Sequence, residues 1–160
     1  MSLGYPPPVY DGTSGEKSAW ARRAATPPEL DLGLAKASYL ATGAQTGGQF
    51  GLYRWDMGPD RTGPPAHFHR SLSESFYVLL GTVRVFDGEQ WLDLEPGDFA
   101  HVPPGGVHAF ENASGAPASM LLHFSPGAPR ENYFEGLPRV GSMSPEEATA
   151  FFADHDNHWL

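Results

Sequence analysis

Glycine and proline interrupt this chain so often that no long helix can run through its middle. Nineteen glycines and 16 prolines are spread over 160 residues, and only short apolar runs lie between them. Proline removes a backbone donor, and glycine costs a helix interior about 1 kcal/mol relative to alanine. The same residues close the turns between short strands. Segments 37–42, 48–57, 66–69, 74–80, 82–87, 89–94, 98–102, 107–111 and 118–124 are rich in β-branched, aromatic or aliphatic residues and read as strands. Asp87-Gly88 sits between Val83-Arg84-Val85-Phe86 and Gln90-Trp91-Leu92, which signals a hairpin. Hydrophobic residues at 40% and aromatics at 12% supply enough apolar volume for one packed all-β domain.

The two ends follow different patterns. Residues 1–35 contain Pro6-Pro7-Pro8 and Pro27-Pro28 with little periodicity, and read as an extended arm. Residues 36–126 form the β-rich body, and 127–160 a helical extension. Pro129 to Gly136 reads as a short helix with proline at its start and glycine at its end. Ser144-Pro145-Glu146-Glu147 is a capping box, followed by Ala148, Phe151, Phe152 and His155 at helical spacing. That spacing predicts Phe151 and Phe152 packed on the outside of the β-rich body.

The net charge of −9 and a pI near 5.1 set the chain against phosphate backbones and anionic lipid surfaces, so neither a nucleic acid nor a membrane is expected as a partner. There are no cysteines, which removes disulfides, thiolate metal ligands and a cysteine nucleophile. MSLGYPPPVY lacks the charged start and apolar core of a signal peptide, and a cytoplasmic location is expected. Asn112-Ala113-Ser114 matches a glycosylation sequon and is read as coincidence.

The chemistry concentrates in four residues. His67 and His69 stand two apart on an expected strand, so both imidazoles project to one face. Glu74 follows five residues later, past a polar turn, and His108 follows a second turn-rich segment. Three imidazoles and one carboxylate suit a divalent Fe, Mn, Co, Ni or Zn ion and leave about two positions of an octahedron free.

The spacing of these residues resembles the two sequence motifs of the cupin superfamily. His67, His69, Glu74 and Gly81 fill the first motif; Gly97, Pro103, Gly105, His108 and Asn112 fill the second. One position departs: Arg61 stands where the first motif has a glycine, which puts the preceding turn in question. The resemblance implies a double-stranded β-helix, a jelly-roll barrel, over residues 36–126, with one metal ion held by His67, His69, Glu74 and His108. It implies a small single-domain protein similar to bacterial quercetin dioxygenase-like cupins, with a homodimer as the expected assembly.

Other residues are weighed against the same barrel. His101 alternates with Ala100 and Val102 and reads as structural. His123 is open between the pocket mouth and the outer surface. Asp154, His155, Asp156 and His158 read as a solvated helix end. Tyr53, Trp55, Phe76 and Tyr77 read as core, with stacking on an aromatic substrate as the alternative. The leading functional expectation is a metal-dependent oxidoreductase, a dioxygenase acting on a small aromatic or enolisable substrate such as a polyphenol or diketone, with Glu74 as both ligand and catalytic base. Two alternatives stand beside it: a redox-free metal-dependent isomerase or polyketide-type cyclase, and a non-catalytic small-molecule binder.

Overall fold

The computed structural model describes residues 4–160. Residues 4–29 form no strand or helix, and nearly all of them are exposed. Strands follow at Leu30–Asp31 (β1), Ala35–Ala41 (β2), Gly51–Met57 (β3), His67–Phe68 (β4), Ser73–Leu80 (β5), Val83–Phe86 (β6), Trp91–Leu94 (β7), Phe99–Val102 (β8), Ala109–Glu111 (β9) and Ala118–Ser125 (β10). Two helices, Arg130–Gly136 (α1) and Pro145–Asp154 (α2), flank a 3-10 segment at Leu137–Ser142, and the chain closes with a strand at His158–Trp159 (β11).

One antiparallel sheet has the order β1-β2-β3-β10-β5-β8; a second has the order β7-β6-β9. Period-2 alternation aims the apolar faces of both sheets at one core. On β3, Tyr53, Trp55 and Met57 are buried while Arg54 is exposed; on β10, Met120, Leu122 and Phe124 are buried. Leu122 lies between Tyr53 and Phe76 across the sheet, and Met120 between Trp55 and Val78. Val83 and Val85 of β6 and Phe110 of β9 close the same core from the second sheet, with the Phe76 and Phe110 rings 5.7 Å apart. Each of these large side chains contributes about 1.5–3 kcal/mol by leaving water. This is a double-stranded β-helix, as the sequence resemblance implied.

One sequence expectation needs correction, at Tyr77, and two others are made specific. Phe151 and Phe152 pack against the core from α2, as their spacing predicts: Phe151 stacks on Tyr133 at 5.7 Å, and Phe152 borders a cavity. Tyr77 is not core; it is exposed opposite Phe99, because Phe76 and Val78 take the inner face of β5. His123 is half-buried between inward-facing Leu122 and Phe124 and stacks on Phe50 at 5.6 Å, on the face away from the cavity.

The turn put in question by Arg61 is rebuilt locally. Arg61 pairs with Glu111 at 2.7 Å, and Thr62 bridges to Asn112. The close backbone approach falls at Gly63, where an added Cβ would lie 1.9 Å from the Phe110 carbonyl oxygen. Asn112 is fully buried: its amide donates to the Gly58 and Ala116 carbonyls, and its side-chain oxygen accepts from Ser114. The sequon is therefore spent on holding a turn.

Candidate metal centre and cavity

β4 is only two residues long, and its position is fixed from both sides. His67 and His108 exchange backbone hydrogen bonds at 2.9 Å in each direction, so the two imidazoles stand side by side with centroids 4.4 Å apart. His69 is held by its own carbonyl, which accepts from the Gly105 amide at 2.7 Å. Gly105 has φ +84°, a conformation that favours glycine. Glu74 enters from β5 on the inward face it shares with Phe76 and Val78, in register with Phe124.

These elements bring the four sequence-identified residues together. His67, His69, Glu74 and His108 are all buried, and each presents a ligand atom within 4.8 Å of the others. Glu74 Oε2 lies 3.1 Å from His69 Nε2 and 2.9 Å from His108 Nε2. The far side of each ring is also committed. Nδ1 of His67 faces the Pro65 carbonyl at 2.9 Å, that of His69 the Asp156 carbonyl at 2.6 Å, and that of His108 the Gly106 carbonyl at 3.0 Å.

A carbonyl only accepts, so each Nδ1 must carry the proton and donate it. A neutral ring then turns its Nε2 lone pair toward the centre, the tautomer of a metal-ligating histidine with an ordered outer partner. Without a cation, lone pairs of His69 and His108 would oppose the Glu74 oxygen. A second proton or a metal ion resolves that conflict.

The electrostatics of the cluster's own groups follow the same geometry. Burial, reinforced by the His108 charge, pushes His67 down from 6.5 to about 4. Burial acts against the charged form of Glu74, yet hydrogen bonds from His108 and His69 outweigh it and hold the carboxyl below its ordinary range. Burial likewise opposes a charge on His108, and the bond to Glu74 overcomes it to raise the imidazole. The donor set therefore fits a divalent cation: a carboxylate held below its ordinary range and three rings oriented by backbone acceptors.

A cavity of about 610 Å³ opens beside the cluster. Pro64, Pro65, His67 and Glu74 form one side; Trp55, Leu122 and Phe124 of the sheet form another; Arg130, Tyr133, Phe134, Phe152, Asn157 and Trp159 complete the wall. His101 is outside this arrangement, exposed and hydrogen-bonded to Ser75 Oγ at 2.9 Å.

The C-terminal segment was misjudged from sequence. Asp156 is not a solvated helix end. Its carboxylate accepts from the Arg70 amide at 2.9 Å, the Ser71 amide at 2.8 Å and the Ser71 hydroxyl at 2.6 Å, while its carbonyl orients His69. β11 then pairs with β4, placing Trp159 opposite His67 with ring centroids 5.2 Å apart. Arg130, Asn157 and Trp159 were also overlooked. A signal for Arg130 was present: Arg130, Tyr133 and Phe134 share one helical face at i, i+3, i+4.

A jelly-roll barrel with three inward histidines and a glutamate beside a cavity is the arrangement that the sequence resemblance implied. Residues 53–124 match the family model described as the cupin domain, and this part of the chain is a cupin domain. Over 71 residues, 44% of the chain, it is 35% identical to quercetin 2,3-dioxygenase of Bacillus subtilis, matching 21% of that protein. Over 56 residues, 35% of the chain, it is 34% identical to mannose-1-phosphate guanylyltransferase RfbM of Salmonella typhimurium, matching 12% of that protein. The chain thus spans about a fifth or less of the curated relatives it matches. Among solved structures, the fold is similar to a predicted oxalate decarboxylase from Thermotoga maritima, with a TM-score of 0.60 and 18% identity over 68% of this chain and 99% of that one. It is also similar to KdgF from Halomonas sp., with a TM-score of 0.59 and 15% identity over 68% of this chain and 93% of that one.

Proposed function

We propose that His67, His69, Glu74 and His108 hold one divalent metal ion, and that the adjoining cavity is the active site of a dioxygenase acting on a small aromatic or enolisable substrate. The observation carrying this reading is the junction of a metal-competent donor set with an apolar cavity large enough for a bicyclic compound. The local similarity to quercetin 2,3-dioxygenase supports it. When bound, a redox-active divalent ion supplies a site where an enolate or phenolate and dioxygen meet.

The protein's own residues supply the rest. Trp55, Phe134, Phe152 and Trp159 offer apolar and aromatic walls that exclude water and hold a flat ring. Glu74 is the one carboxylate among the described residues lining the cavity, and hydrogen bonding holds it below its ordinary range. It is placed to take the proton of an enol or phenol hydroxyl, its position on β5 fixed by the pairing of that strand with β10. The proposed setting is a homodimer, in which the exposed Tyr77, Leu79 and Phe99 form the contact face.

An oxygen electrode tests the reaction, using metal-replete protein with flavonols and β-diketones. Oxygen uptake matched to substrate loss is expected, falling about 10²–10⁴-fold in Glu74→Gln with metal retained. Conversion without oxygen uptake would overturn the dioxygenase and favour the redox-free isomerase. Binding without conversion would leave a ligand-binding cupin.

A further inference from the structure

The cavity contains one cation that the metal chemistry does not use. Arg130 opens α1 with only 4% of its surface exposed, and it lines the same cavity as Glu74 and His67. Its Nη1 donates to the His155 carbonyl at 2.7 Å, and its Nη2 to Asn157 Oδ1 at 2.9 Å. A guanidinium has five N–H donors, so three remain uncommitted, and Nε is buried with no partner at all. The other contacts are aromatic faces: the guanidinium carbon lies 4.3 Å from the Tyr133 centroid, 5.0 Å from Phe124 and 5.7 Å from Phe134.

Five of the other described lysines and arginines pair with a carboxylate, and the unpaired ones, Lys17, Arg23, Arg70 and Arg139, are not buried. Arg22 pairs with Glu29, Lys36 with Asp31, Arg54 with Asp56, Arg61 with Glu111, and Arg84 with Asp93. These pairs lie nearer solvent, where a missing partner would cost little. Arg130 alone is deeply buried and lacks a counter-ion within ion-pair distance among the described residues. Desolvating a charge without pairing it costs several kcal/mol, and cation–π contacts return only part of that. A hydrophobic side chain at this position would pack on the same rings without the cost. A charge kept there has a partner that the protein itself does not supply.

We propose that Arg130 is the anion anchor of the cavity, so that the natural ligand is a small organic carboxylate with an apolar, ring-bearing body. The planar fork pairs with a carboxylate through two parallel hydrogen bonds, and the surrounding aromatic walls take the body of the ligand. This deepens the proposed function and rests on its reading of the cavity as a ligand site. It adds that the aromatic or enolisable substrate carries a carboxylate gripped from the wall opposite in charge to Glu74.

Matched pairs of probes test the anchor by calorimetry on the full chain: 2-naphthoate against 2-naphthamide, and phenylacetate against phenylacetamide. Each pair is measured with metal loaded and with metal removed. Carboxylates are expected to bind about 10-fold or more tightly than their amides in both states, consistent with a charge-assisted pair in a dry site. Arg130→Met, which keeps the apolar stem, should bring the acids down to the level of the amides. Arg130→Lys should recover part of the difference.

Preference for the acid only when metal is loaded would put the carboxylate on the metal and overturn the anchor. Equal binding of acid and amide by the wild type would overturn it as well, whether or not the variants fold. Absence of oxygen uptake or of metal would sink the proposed reaction and leave the acid–amide difference standing, so the two failures are distinguishable.

Discussion

Asp156 offers a sharp test of how the C-terminal segment builds the site. Its carboxylate clamps the Arg70-Ser71 turn through two amides and a hydroxyl, and its backbone sits at φ +56° while the carbonyl orients His69. Replacing it with glycine removes the carboxylate and eases the backbone. Hydrogen bonds to a charged group contribute about 1.5–3 kcal/mol, and water can reach part of this turn, so the total loss should be about 2–3 kcal/mol. For a chain of this length, that lowers the melting temperature by about 4–12 °C. Alanine adds the cost of a left-handed backbone, about 1 kcal/mol more, so Asp156→Ala should be less stable than Asp156→Gly. Both variants loosen the acceptor that fixes the His69 tautomer, and metal affinity should drop about 10–100-fold. Calorimetric melting and competition against a chelator read the two effects separately. An Asp156→Gly protein with unchanged melting and unchanged affinity would refute the latch.

Removing metal from the wild type should lower the melting midpoint, since an ion binding only the folded state adds about 2.7 kcal/mol at 100 times its dissociation constant; an unchanged midpoint after verified removal would count against a folded-state site. In the metal-free protein, His67 is neutral when folded and takes a proton when unfolded between pH 6.5 and about 4, so its contribution is full above 6.5 and is lost as pH falls through that window. The raised His108 acts above 6.5 and the lowered Glu74 below 4.5, so a loss of about 3 kcal/mol between these limits should vanish in His67→Gln, as denaturant titrations at each pH would show. Tyr77→Glu with Phe99→Glu should convert the proposed dimer to a monomer in light scattering; a wild type that is already monomeric would rule the interface out.

The barrel and the four clustered residues were legible because both depend on local rules. Alternation on β3 and β10, the turn at Gly105, and two histidines two apart at β4 and just past its end all read directly from short windows. The cavity was not legible, because its far wall comes from residues 130–159, which reach the His/Glu cluster through long-range contacts. Asp156 is 87 positions from His69, and nothing near either residue announces the bond between them. Asp156-Asn157 after a helix does mark a tight turn, and the His158-Trp159 that follows could have been read as a returning strand. A lone arginine at a helix start is usually solvated, so Arg130 by itself carries no signal. Its shared face with Tyr133 and Phe134 was the contrary sign.

The central claim is that three imidazoles and Glu74 hold a metal ion, and elemental analysis tests it most directly. Wild-type protein reconstituted with a divalent metal and dialysed should carry about one equivalent per chain, and so should His101→Ala, whose ring lies outside the site. His67→Ala and His108→Ala should carry almost none. Equal metal content in wild type, His67→Ala and His108→Ala would contradict the assignment.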